Sequence, residues 1–244
     1  MLEEKLSKMD GESSEVARDA VFWEPIASSR WGQYISSIEQ QCIEFALRQT
    51  KIAGNALEIG AESGRWSKLL FDCGWQVTCT EINATALDVC HKRIPSAKCV
   101  LVDKESTQFP CPSNSMDLLL AIEVHELVEQ EWFILESKRV LREGGLYVGV
   151  FQNVRSWRAL IRNLKSDGES NFKHYTASYA PWRDAMRRQG FEMLKQVGCC
   201  WMPFGRMSNS SLIPAAVQIE KLLGLRRLYS ISPWVVFVAK KITQ

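Results

Sequence analysis

The stretch Asn55-Ala-Leu-Glu-Ile-Gly-Ala-Glu-Ser-Gly-Arg-Trp-Ser-Lys-Leu-Leu70 decides how this 244-residue chain is read. Ala56 to Ile59 is a short buried strand, Gly60 to Gly64 a glycine turn, and a helix follows whose apolar face starts at Trp66. Two glycines with Ser63 between strand and helix let the backbone come close to a bound molecule. The helix N-terminus adds free N–H groups and partial positive charge. Such a unit is common to several α/β folds, so its meaning depends on what lies to either side.

Downstream, strands and helices alternate. Gln76-Val-Thr-Cys-Thr80 is a strand ending at Glu81, and Ala84 to Arg93 is a helix stopped by Pro95. Lys98 to Val102 is a third strand ending at Asp103; a polar loop with Pro110, Pro112 and Asn114 leads to a fourth, Met116 to Ile122. Leu127 to Arg142 reads as one helix, broken by Glu143-Gly144-Gly145, and Leu146 to Phe151 is a fifth strand. This alternation argues for a parallel, doubly wound sheet. Further on lie helices over Ser156 to Leu164 and Ala180 to Gln189, and a strand candidate from Phe191 to Trp201. An insertion from Pro203 to Ser232 holds a helix from Pro214 to Leu223, and Trp234 to Lys241 is a last apolar strand. A strand, an excursion and a final strand suggest an antiparallel pair at one sheet edge.

Upstream, residues 1 to about 20 are charged without a periodic face, and disorder or a loose helix is expected there. Aromatics with Pro25 follow from Phe22 to Trp31, and Tyr34, Ile38, Cys42 and Phe45 recur at helical spacing through Arg48.

Composition excludes several classes. Apolar residues make up 46% of the chain, enough for a large core. The net charge of +2 and pI near 8.1 are too mild to argue for nucleic acid or an anionic membrane. No apolar run approaches the roughly 20 residues of a membrane span, and no secretory leader is visible. None of the eight cysteines shows C-x-x-C spacing, so they read as reduced, small apolar residues rather than a zinc site. A soluble cytoplasmic protein, monomer or homodimer, is the expectation.

Four pieces in order carry a resemblance: Leu57-Glu-Ile-Gly-Ala-Glu-Ser-Gly64, Thr80-Glu-Ile82, Leu101-Val-Asp103, and Phe109 to Asp117 leading into Ala121-Ile-Glu-Val-His-Glu126. Arg139-Val-Leu-Arg-Glu-Gly-Gly145 adds a fifth. Over residues 30 to 241 the chain resembles the class I S-adenosylmethionine-dependent methyltransferases, in particular the small-molecule group related to ubiquinone-pathway enzymes. The resemblance implies one Rossmann-like domain with a seven-stranded sheet ordered 3-2-1-4-5-7-6 and the last strand antiparallel. Residues 1–50 would form a tail and helical lid, 51–151 the cofactor-binding core, and 152–244 the substrate-side elements with an insertion before the last strand.

It also implies a cofactor site for S-adenosylmethionine. Gly60 and Gly64 would leave room for its methionyl part and ribose, and Glu58 would help orient the amino group. Glu81, at the end of the second strand, would accept from both ribose hydroxyls, as in dinucleotide folds. Ile82 would pack on the adenine, Asp103 would accept from its amino group, Lys104 would contribute backbone, and Ile122 and Glu123 would lie beside the sulfonium.

Two positions depart from the family pattern. Glu62 replaces the middle glycine of the motif, where its carboxylate either touches the cofactor's ammonium or points to solvent. Relatives that bind a metal end the fourth-strand run in histidine; here the run is Glu123-Val-His-Glu-Leu127, and Leu127 cannot ligate, so no metal is expected. His125 and His174 are general-base candidates.

The pocket for a small-molecule acceptor is expected from aromatics outside the alternation, among them Trp31, Tyr34, Tyr175 and Trp201. Trp31-Gly-Gln-Tyr34 reads as a flexible joint in a lid over the cofactor, whose removal would stop turnover and leave the sheet folded. The helix near Ala215 to Leu225, followed by Arg226-Arg227, is a possible lipid contact, though no membrane contact is the expectation. A catalytically silent fold that binds cofactor or a partner is the alternative to an enzyme.

Overall fold

A computed structural model describes residues 23–50, 52–165 and 175–242. β1 (Asn55–Ile59) lies inside the sheet because Ala56, Leu57, Glu58 and Ile59 are all buried. It pairs in parallel with β2 (Gln76–Glu81) on one side and β4 (Met116–Ala121) on the other. β3 (Lys98–Leu101) extends the sheet beyond β2, and β5 (Leu141–Gln152) beyond β4. β7 (Trp234–Lys241) runs antiparallel between β5 and β6 (Phe191–Cys199), giving the order β3-β2-β1-β4-β5-β7-β6.

Strand alternation divides the core into two layers. Val236 and Val238 pack with Ala56, Leu118 and Leu120 on one face, beneath α2 (Arg30–Gln49). Val235, Phe237 and Ala239 pack with Leu57 and Leu119 on the other, beneath α6 (Glu131–Val140) and α8 (Tyr179–Arg188). The remaining helices are α1 (Trp23–Ser28), α3 (Arg65–Asp72), α4 (Ala84–Arg93), α5 (His125–Val128), α7 (Trp157–Lys165) and α9 (Ile213–Leu222).

α2 begins where Ser29 caps it, its hydroxyl accepting the Gly32 N–H at 3.0 Å. Its apolar stripe, including Trp31, Ile35, Ile38 and Ile43, is buried in the first core layer. Each such side chain contributes about 1.5–3 kcal/mol. This corrects the flexible joint expected at Trp31 to Tyr34. The segment is helical interior, and a Cβ on Gly32 would stand 1.8 Å from the Ile26 carbonyl oxygen, so glycine here allows α1 to cross tightly against α2.

The single helix expected over residues 127–142 is two, α5 and α6, separated at Glu129-Gln130, where Gln130 is extended (ψ 141°). The glycines at 144 and 145 do not end the helix, which stops at Val140; they form an irregularity inside β5. Leu141 pairs with Met116 and Leu146 with Leu118, so the residues between them bulge from the ladder.

Candidate functional site

A cavity of about 340 Å³ opens at the carboxyl ends of β1 to β4, the crevice where open α/β sheets bind ligands. Gly60, Glu62, Glu81, Ile82, Asp103, Lys104, Ile122 and Glu123 all line it. Gly60 has φ +67°, and a Cβ there would meet Val124 Cγ1 at 2.4 Å, so only glycine lets the turn pass this close to the end of β4. Glu81 is 8% exposed. Its Oε1 accepts the N–H groups of Ile82 (2.8 Å) and Asn83 (3.0 Å), and its Oε2 accepts that of Glu62 (2.9 Å). One strand-end carboxylate thus joins the turns after β1 and β2. Ile82 is 56% exposed at the rim. Asp103 Oδ1 accepts from the Glu105 N–H at 2.8 Å, which fixes its loop.

Glu62 takes the left-handed conformation its glycine-like position demands, with φ +46°. Its Oε1 accepts the Trp23 N–H at 3.0 Å. Glu24 adds an ion pair with Arg93 and lies 3.3 Å from the Ser63 hydroxyl. α1 is therefore strapped across the glycine turn. Gly64 serves differently from expectation: it lies outside the cavity lining, and at φ +78° a Cβ would stand 2.6 Å from Cys90 Sγ. It permits close packing of the turn on α4. Glu58 also lies below the main cavity, in a small crevice shared with Glu62, Arg65 and Glu123. Burial pushes its carboxyl up to about 7, against the lowering effect of the Ser67 hydroxyl that donates to it.

A second cavity of about 910 Å³ adjoins the first. Trp23, Trp31, Tyr175, Phe204 and Trp234 form aromatic walls, with His125, Gln152, Arg158 and Arg206 among them. Arg158 holds the loop after β6, donating to the carbonyls of Cys200 (2.7 Å), Phe204 (3.1 Å) and Met202. The Arg206 guanidinium lies 4.7 Å from the Trp23 ring centre and 4.9 Å from that of Trp234. Gln152 Nε2 is 3.2 Å from His125 Nδ1, so in this amide orientation the ring proton sits on Nε2. Tyr175 accepts from the Trp234 indole at 3.1 Å.

Tyr34 and Trp201 line neither cavity. The Tyr34 hydroxyl donates to the buried Glu220 carboxylate at 2.7 Å and accepts the Cys200 N–H at 3.1 Å, which makes it a support beneath the loop. His174 falls outside the described residues.

Glu123 stands where the two cavities meet, with Trp23, Ile82, Lys104, Val124 and Leu127 also lining both. Its side chain is 4% exposed, yet neither carboxylate oxygen has a hydrogen-bond partner among the described residues. Arg206 Nη2 is 3.6 Å from Oε2. Burial pushes the carboxyl up to about 8, opposed by Arg206. The backbone is left-handed, φ +62°. Among the described residues, five non-glycine positions have positive φ, and four of them, Glu62, Glu123, Tyr175 and Cys200, line these cavities. Strain of this kind persists where surrounding structure enforces it and concentrates at functional sites.

Sequence reasoning singled out neither Arg206 nor Trp234 for the site. Arg206 is an isolated base in a polar loop with no periodic signal, and Trp234 reads only as strand. It also missed that Cys79, Cys90 and Cys99 bring their sulfurs within 4.8 Å of one another. They come from β2, α4 and β3, so no local spacing reports them. Cys79 Sγ donates to the Ser67 hydroxyl at 3.1 Å, completing a buried relay to Glu58.

The profile of a methyltransferase domain matches residues 57–149. No curated protein matches the chain. Solved structures match at low identity. A proposed sarcosine dimethylglycine methyltransferase from Galdieria sulphuraria has a TM-score of 0.62 at 13% identity, over 90% of this chain and 91% of that one. Geranyl diphosphate C-methyltransferase from Streptomyces coelicolor, solved with Mg2+, geranyl diphosphate and S-adenosyl-L-homocysteine, gives 0.57 at 18%, over 85% and 80%. The [4+2]-cyclase SpnF gives 0.54 at 15%, over 84% and 81%. At these identities the likeness is one of fold.

Proposed function

We propose methyl transfer from S-adenosylmethionine in the first cavity to a small molecule in the second, a reading supported by the methyltransferase-domain match over residues 57–149 and by the fold shared with solved methyltransferases. The observation that carries this reading is the shared wall. A strand-end cavity and an aromatic chamber meet at one buried carboxyl, Glu123.

The residues present fit the cofactor. Gly60 keeps open a space that a Cβ would fill, and Glu81 presents a buried carboxylate at the end of β2. Ile82 offers an uncovered apolar face to an adenine, and Asp103 an acceptor to its amino group. The crevice with Glu58, Glu62 and Arg65 has both charges needed by the ends of an amino acid. S-adenosylmethionine supplies an activated methyl on a sulfonium, so much of what remains is positioning.

The aromatic walls favour an apolar or aromatic acceptor. Trp23 and Trp31 are held beside it by the strap to Glu62 and by the Trp31 N–H to Ser208 carbonyl bond of 3.1 Å. Glu123 is the proton acceptor for an acceptor molecule that must lose one. Its elevated pKa matches general-base work near neutrality. His125 sits in the same cavity as an orienting group, its Nδ1 engaged by Gln152.

The test is calorimetric titration with S-adenosylhomocysteine. Glu81→Ala should weaken binding by roughly 1–3 kcal/mol, the scale of hydrogen bonds to a charged group. Unchanged affinity would remove Glu81 from the site, and no binding by the wild-type protein would overturn the reading.

A further inference from the structure

α9 is built inside out. Of its two charged residues, Glu220 is buried and held by Tyr34 and by Arg226 Nε at 3.0 Å, while Leu222 (84% exposed), Leu212 and Leu223 face solvent. Ile219 is also exposed. Leu212, Ile219, Leu222 and Leu223 fall on one stripe at helical spacing, opposite to the usual arrangement of a surface helix. In the chain segments before and after the helix, Met207, Leu228 and Ile231 are exposed as well. A contiguous exposed apolar patch marks an interaction surface.

Charge selects the partner. From Phe204 to Ser232 the sole acidic residue is Glu220, and its carboxylate is consumed internally. Lys221, about 100° round the helix from Leu222, and Arg227 in the turn that follows are both exposed and pair with no acid among the described residues. An apolar stripe flanked by uncompensated cations matches the interface of an anionic bilayer, where leucines enter the acyl boundary and the long basic chains reach phosphates. A second copy docked about a two-fold axis would bring these cations toward their own equivalents.

We propose that the outer face of α9 and the turn after it dock on an anionic lipid surface. Docking is peripheral: no described helix is long and apolar enough to cross a membrane. Such docking runs against the expectation of no membrane contact, which rests on mean charge and run length; neither measure sees an apolar stripe turned outward. Phe204, Gly205 and Arg206, a few residues before α9, line the larger cavity. Docking therefore places that cavity's wall next to the lipid-bound segment, whether or not methyl transfer occurs there.

The experiment is co-sedimentation of the full chain with phosphatidylcholine vesicles and with vesicles that also carry phosphatidylglycerol. Binding is expected to the anionic vesicles, weakening as salt is raised. Leu222→Gln/Leu223→Gln should lower it at least about tenfold, with the melting temperature near wild type because both side chains are already largely in water. Lys221→Glu/Arg227→Glu should lower it without touching the stripe. No binding to anionic vesicles overturns the proposal, as does equal binding by the leucine variant. A dimer in light scattering that the leucine variant dissociates also overturns it, in favour of a second copy; a stoichiometric protein partner captured through this face, without vesicle binding, does the same. S-adenosylhomocysteine titration of the same variants separates this result from failure of the methyltransferase reading.

Discussion

The two cavities share a wall but are assembled by different kinds of chain. Apart from Trp23, the first is made by the segments that follow parallel strands, so its residues lie in four sequence clusters. The second draws on α1 and α2, the start of α5, the end of β5, the loop after β6 and the start of β7. Strand-end carboxylates set among apolar side chains mark the first; aromatic rings and arginines mark the second. The first follows from the fold, and the second is what this chain adds to it.

The largest test concerns how far that addition is separable. Trp31 and Ile35 belong to the first core layer, and Tyr34 holds Glu220 and Cys200. Removing the chain through Tyr34 should abolish cooperative unfolding in calorimetry, because it deletes core rather than a lid. A truncated protein that melts cooperatively near the wild-type temperature would make the second cavity a detachable cap.

Glu220→Ala should come next, at about 3–5 kcal/mol of stability by denaturant unfolding, since it leaves Arg226 and the Tyr34 hydroxyl without their buried partner. If the second chamber depends on this support, its aromatic packing loosens while cofactor affinity stays near wild type.

Glu123→Gln should lower turnover by about 100-fold and change S-adenosylhomocysteine affinity by no more than a few-fold. Wild-type turnover should rise as pH passes about 8, where the carboxyl ionises, and the variant should lack that rise. Equal losses in binding and turnover would instead assign Glu123 to the cofactor side.

The smallest effect is in stability against pH. Burial raises Glu123 to about 8 and Glu58 to about 7 from an ordinary 4.5. Between 4.5 and these values the folded chain holds more protons than the unfolded chain, so stability is fully present below 4.5 and declines as pH rises through 7 and 8. Melting temperature should fall from pH 5 to 8.5, and Glu123→Gln should flatten part of that slope; an identical slope in the variant would place Glu123 in solvent.

Sequence by itself determined the sheet. Hydrophobic strands of the right length, separated by helices and stopped by glycine and proline, leave few topologies, and the order β3-β2-β1-β4-β5-β7-β6 follows from them with the family resemblance. With the same resemblance it placed Gly60, Glu81, Ile82 and Asp103 at the carboxyl ends of the strands, where they line the first cavity. Tertiary structure alone decided the rest. Gly64 serves helix packing because Cys90 lies against it, and Tyr34 is a support because Glu220, 186 residues away, needs a donor. Arg206 meets Glu123 only after the loop following β6 folds back over the end of β4. Periodicity reports the neighbours a residue has along its own strand or helix; contacts between distant segments are set by how those elements pack, and no local pattern in the chain records them.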